Sequence, residues 1–112
     1  MKQNKVLGTL GLAMKAGKVV SGEFLTEKAI RDGLAYLVIV AEDASANTKK
    51  NFKDACHYYK VPYVEFGDKD VLGNAIGKQF RASLAVTDKG FAKSISKNFE
   101  PEVTTYGKNE NI

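Results

Sequence analysis

Tyr36-Leu37-Val38-Ile39-Val40-Ala41 is the stretch that decides the fold. The run is apolar without interruption and β-branched at Val38, Ile39 and Val40, so neither of its faces can be left to water. A short run of this kind reads as a central strand covered on both sides. It stops abruptly at Glu42-Asp43, and it is far shorter than the roughly 20 apolar residues that cross a bilayer.

Downstream of that strand the periodicity changes. Asp43, Ser45 and Asn47 offer N-caps for a helix in which Phe52, Ala55, Cys56 and Tyr59 recur at i, i+3, i+4 and i+7. Lys49, Lys50, Lys53 and Lys60 occupy its other faces. Residues 61–66 form a second strand, and Pro62 marks its beginning or a sheet edge. Asp68 can cap a helix carrying Val71, Leu72, Ala75 and Ile76, which closes near Gly77. A loop over 78–81 leads to a last strand at 83–87, and Asp88 opens a final helix with Phe91, Ala92 and Ile95 turned inward.

Upstream, Val6, Leu7, Leu10, Ala13 and Met14 place one apolar stripe on a first helix over 4–15. Gly8 and Gly11 weaken it locally, and their better use is close approach of another backbone. Gly17 supplies a stop, 18–21 is extended, and Gly22 precedes a helix from Glu23 to Arg31 closed by Asp32 and Gly33. Helices alternate with short strands throughout, which implies a sheet between helical layers: an α/β protein built as a three-layer α/β/α sandwich. Residues 1–97 are read as one domain and 98–112 as a polar, flexible tail with Pro101, Gly107 and repeated Asn.

The chain has 112 residues and a net charge of +4, but the charge is unevenly spread. Glu100, Glu102 and Glu110 fall in the tail against Lys108 alone, so the remainder carries 16 bases and 10 acids. That excess favours a polyanionic partner without identifying it. A lone cysteine, Cys56, fits a reducing compartment. Nothing in the sequence addresses the chain for export or for a membrane, so a cytoplasmic monomer is expected.

Residues that could carry chemistry are few. Cys56 and His57 are adjacent on a helix, where side chains point about 100° apart, so they make neither a chelating pair nor a nucleophile and base. A buried thiol beside a surface imidazole explains them better. Residues 72–77, Leu72-Gly73-Asn74-Ala75-Ile76-Gly77, resemble a dinucleotide-binding glycine pattern only loosely. Glu42-Asp43 is the best acid–base candidate, since ligands gather at the carboxyl ends of strands, but helix capping by Asp43 is the simpler reading. No metal, no cofactor and no catalysis are expected.

In order along the chain, the segments 21–28 (Ser21-Gly22-Glu23-Phe24-Leu25-Thr26-Glu27-Lys28), 37–43, 61–63 and 72–77 followed by Phe80-Arg81 resemble the kink-turn-binding ribosomal protein superfamily. The resemblance covers roughly residues 4–97. It is nearest to the small bacterial YlxQ-like members, on the pattern around 15–22 and 41–45. It implies a mixed four-stranded sheet and binding of RNA at a kink-turn or related bulged helix, ribosomal RNA included. In a kink-turn, a short asymmetric bulge beside tandem G·A pairs bends the duplex. Family members present the N-terminus of their second helix to those pairs and hold an extruded nucleotide in the loop before the last strand.

Carried onto this chain, the resemblance implies RNA contacts from Gly22, Glu23, Phe24, Lys28 and Arg31, and from Ile76, Gly77, Lys78, Gln79, Phe80 and Arg81. Phe80 would stack on a base and Arg81 would meet a phosphate or base; a core phenylalanine and a solvated arginine are the alternatives. The chain departs from the family at one point. Many members carry Asn-Glu or Lys-Gln to hydrogen-bond the guanines, whereas Phe24-Leu25 can do neither. Readout would then shift toward backbone amides and Lys15, Lys18, Lys28 and Lys78, or the fold would serve as a protein-interaction or ribosome-assembly module. Glu23 would repel phosphate if it faced the RNA.

Overall fold

The computed structural model describes residues 2–99, with side chains from Asn4 onward. Helices and strands alternate in the order α1 (Lys2–Lys15), β1 (Val19–Ser21), α2 (Glu23–Arg31), β2 (Leu37–Val40), α3 (Ala46–Tyr59), β3 (Tyr63–Glu65), α4 (Lys69–Ala75), β4 (Ser83–Val86) and α5 (Lys89–Ser96).

The strands form one mixed sheet in the order β1-β4-β2-β3. β4 is antiparallel to both neighbours, and β2 and β3 run parallel. β2 and β4, buried at every residue, hold the centre, whereas the three-residue strands β1 and β3 form the edges. Pro62 stands just before β3, where its missing N–H breaks no ladder bond and its carbonyl accepts from Val38 N at 2.9 Å.

α1 packs with α4 and α5, and α2 packs with α3 and over β1 and β4, so helices flank the sheet as the alternation predicts. α1 contributes Val6, Leu10 and Ala13 to the core, and α2 contributes Ala29, Ile30 and Thr26. The caps sit where small oxygen-bearing side chains precede a helix: Ser45 Oγ accepts from Thr48 N, Asp68 Oδ1 from Val71 N, and Asp88 Oδ2 from Phe91 N. No helix among the described residues is long and apolar enough to cross a membrane.

Several expectations need correction. Asp43 does not cap α3: its Oδ1 accepts from Lys69 N at 3.0 Å, at the start of α4, and Asn47 lies inside α3. The side chain is thus engaged in joining two loops at the carboxyl ends of β2 and β3. Tyr59, expected on the buried stripe of α3, is 41% exposed and packs edge-on against Tyr58; it is the last residue of the helix. Gly11 meets the backbone of Ala75, but Gly8 faces open space. Phe99 is buried and stacks edge-on with Phe66 at 5.1 Å, so packing runs past the boundary placed at 97; the rest of the expected tail, 100–112, lies outside the described residues.

Two buried side chains give tests of the core. Burial pushes the Cys56 thiol up from 9.0 to about 12, so the native protein should resist thiol-specific alkylation at pH 8, with modification following the rate of unfolding. Because the folded-state value is raised, stability linked to this group is complete below about pH 9 and falls as pH rises toward 12. Thr26 is fully buried in α2, and its Oγ1 has no hydrogen-bond partner among the described residues. Thr26→Val should therefore leave stability unchanged or raise it by about 1 kcal/mol in urea unfolding; a loss larger than that would mean the hydroxyl is bonded.

Candidate functional site

The antiparallel pairing of β1 with β4 sets Ser21 against Leu84. The start of α2, which follows β1, is thereby placed beside the loop 78–82, which precedes β4. Two bonds fasten them: Gly22 N donates to Ser83 O at 3.0 Å, and Arg81 Nε donates to Ser21 Oγ at 3.0 Å. Arg81 Nη1 also reaches the Phe80 carbonyl at 2.9 Å, and Arg81 N donates to Lys69 O. The two segments singled out in the sequence, 22–28 and 77–81, are therefore one surface at one end of the sheet.

Gly22 adopts φ 92° and ψ 160°, a region open essentially to glycine alone. It is the N-cap of α2, and no side chain caps the helix there, unlike α3, α4 and α5. The first-turn N–H groups of α2 thus point outward with the positive end of the helix dipole. Thr26 N makes the first helical bond, to Gly22 O.

α2 sorts its exposed residues by helical spacing. Phe24, Lys28 and Arg31 share the outer stripe, with Phe24 70% exposed. Glu23 and Glu27 share another and line a cleft with Asn51, Phe52 and Ala55 of α3. Glu23 is thus turned toward α3, away from the Phe24 stripe. Lys28 is bonded to Asp32 Oδ2 at 2.6 Å on the surface, and that bond holds the Asp32 carboxyl below the usual carboxylate range. An exposed pair of this type is weakly held and screened by salt, so Lys28 can be drawn to another anion. Arg31 ends α2, more than two turns from Gly22, and belongs to the stripe but not to the loop's surroundings.

In the second segment Gly77, Lys78, Gln79 and Phe80 are exposed, Phe80 by 63%, so Phe80 is not a core residue. Arg81 is half-buried and engaged with Ser21 rather than solvated. Ile76 is a correction: it is buried, 4% exposed, because it closes the inward stripe of α4 with Leu72, and it presents no side chain to a ligand.

The residue that sequence reasoning passed over is Gly73. It is buried in α4, and a Cβ there would overlap the Gln79 carbonyl and stand 2.8 Å from Phe80 Cα. Lys78 N donates to Gly73 O at 2.9 Å. The loop that carries Phe80 is folded directly onto this glycine. The signal available in the sequence is a glycine inside a helical stripe, whose meaning is close backbone approach and not a phosphate-binding pattern.

Comparison with known proteins places these features in context. Residues 4–96 match the family described as Ribosomal protein L7Ae/L30e/S12e/Gadd45. The chain is 55% identical over 86 residues to the RNA-binding protein YlxQ of Bacillus subtilis (strain 168), covering 77% of this chain and 86% of that protein. It is 43% identical over 98 residues to the RNA-binding protein YlxQ of Enterococcus faecium, covering 88% and 94%. Among solved structures, a protein with unknown function from Bacillus halodurans C superposes with TM-score 0.83 at 38% identity, over 86% of this chain and 97% of that one. A Giardia lamblia 15.5kD RNA binding protein superposes with TM-score 0.78 at 21% identity, over 90% and 87%, a likeness of fold.

Gly73→Ala should lower stability by about 1–3 kcal/mol through overpacking and shift the backbone resonances of residues 78–81 while sparing β2 and β3. Wild-type stability with an unchanged spectrum would show that the loop does not rest on Gly73.

Proposed function

Since this chain belongs to the ribosomal protein L7Ae/L30e/S12e/Gadd45 family, we propose that it is a cytoplasmic, non-catalytic RNA-binding protein whose target is a bulged, bent element of the kink-turn type. The observation that carries the reading is the juxtaposition of an uncapped helix start at Gly22 with the exposed Phe80 loop, tied through Arg81 and Ser21. Two relatives that share 55% and 43% of their aligned residues with it are named RNA-binding proteins, which supports the same class of partner.

The parts have distinct tasks. With no Cβ at Gly22, a sugar–phosphate backbone can approach the first turn of α2, whose N–H groups attract phosphate. Phe80 offers an apolar face to a base extruded from the bulge. Lys28 and Lys78 add charge on either side, and Arg81 holds the two halves in register. Binding of this kind favours the bent conformer by its differential affinity for that form, and needs no reaction. Phe24 and Leu25, 70% and 48% exposed, replace hydrogen-bonding readout with apolar contact.

That same exposure favours a second reading, a protein-interaction or assembly module on this fold. An exposed apolar pair at a helix start is the sort of patch that partners cover. The two readings differ in what they require of RNA shape.

A fluorescence titration of a kink-turn RNA against an unbent duplex of equal length, at two salt concentrations, separates them. The proposed function expects preference for the kink-turn that survives the higher salt. Phe80→Ala should weaken it by roughly tenfold, the loss of one stacked base, and Lys28→Ala should weaken it with a salt slope lower by about 1. Equal, steeply salt-dependent binding to both RNAs would leave electrostatics alone and turn the reading toward the protein partner.

A further inference from the structure

At the opposite end of the sheet lies a groove that the proposed function does not use. β4 runs from Ser83, beside Gly22, to Val86, which pairs with Val19 and Leu37; that length separates the two ends by about 10 Å of strand. At the Val86 end, Tyr36 N donates to Val86 O at 2.8 Å and Val38 N to Pro62 O, so Tyr36 and Pro62 flank the start of β2. α5 covers the other side. Tyr36, Pro62, Lys89, Ala92, Lys93 and Ser96 line a groove of about 360 Å³.

Its chemistry is uneven in an informative way. Tyr36 is 44% exposed and, with Pro62 and Ala92, gives the groove an apolar wall. Lys89 and Lys93 stand one helical turn apart on its rim. Neither makes an ion pair with a described residue, and no acidic residue among those described lines the groove. The nearest acid in sequence, Asp88, is occupied in capping α5 through Phe91 N and lines the cleft on the far side with Thr9 and Leu12.

We infer that this groove binds a single-stranded segment of nucleic acid, a base stacking on Tyr36 and the flanking phosphates meeting Lys89 and Lys93. Cations without an ion-pair partner among the described residues make the complement an anion, and a partly exposed tyrosine against an apolar wall makes it one with planar faces. A single strand supplies both at every step. An acidic peptide would satisfy the lysines and leave the ring without use. The groove shares no residue with the Gly22 and Phe80 surface, so it stands or falls separately from the kink-turn reading.

The test is fluorescence anisotropy with a short labelled oligoadenylate and the full chain. Tyr36→Ala should weaken binding about tenfold while Tyr36→Phe retains it. The double variant Lys89→Ala/Lys93→Ala should also weaken it and lower the salt slope by roughly 0.7 for each phosphate no longer neutralised. The groove variants should leave binding to a minimal kink-turn unchanged, with thermal unfolding reporting that each variant is folded. Oligoadenylate binding that is absent, that ignores Tyr36 and the two lysines, or that is matched by an oligoglutamate would overturn the inference.

Discussion

The antiparallel ladder between β4 and its two neighbours is the interaction on which the rest depends. β4 is the last strand in sequence, yet it lies between β1 and β2, so no compact arrangement exists until the chain from both ends of the domain has met there. Its four residues are all buried, and side chains alternate between the two helical layers. A slip of one residue would exchange those faces and bury the wrong set. The same ladder sets Ser21 against Leu84 and brings Gly22 N to Ser83 O. Core packing and the meeting of α2 with the Phe80 loop are therefore specified by one register.

Around that ladder, the two glycines at Gly22 and Gly73 fill positions that no other residue type fits. One gives the backbone an angle that opens the helix start; the other lets a loop lie against a helix without space for a methyl group. Both remove bulk at places where the backbone must come close to something else. Large apolar side chains behave in the opposite way there. Phe24 and Phe80 remain outside the core, although burying each would gain roughly 1.5–3 kcal/mol. On the proposed reading, a partner seated on the uncapped helix start covers both of them.

Much of this is legible in the sequence because it rests on local signals. The apolar run 36–41 contains a fully buried strand, and Asp68 and Asp88 cap the helices assigned to them. The alternation of elements is enough for the α/β class. What spacing does not reveal is long-range. Asp43 reads as a cap for the helix that follows it, but its partner, Lys69, lies 26 residues on. Arg81 and Ser21 are 60 residues apart, so their bond has no trace in spacing. Ile76 and Phe80 are equally apolar in sequence and fall on opposite sides of the surface, because one completes a helical stripe and the other sits on a loop held by Gly73. Composition records polarity, whereas the site is decided by which backbone atoms approach one another.

The replacement of hydrogen-bonding residues by Phe24-Leu25 has a consequence for how such a protein would discriminate among RNAs. A bidentate amide or carboxylate rewards one base and penalises another, whereas an aromatic face accepts any base that is free to leave its stack. On the proposed reading, selectivity then comes from shape: the backbone trajectory must bring phosphate to Gly22 while a nucleotide is already extruded toward Phe80. Shape readout of this kind gives modest affinity for each group engaged. A second binding surface on the same rigid body would add to it, since tethering turns the second binding event into an intramolecular one. The groove at Tyr36 lies at the far end of the same short strands, and a strand leaving a bent helix can reach it only if its path runs around the sheet. Avidity would thus favour RNAs in which a bend and an unpaired segment occur together, a geometric requirement that neither surface imposes alone.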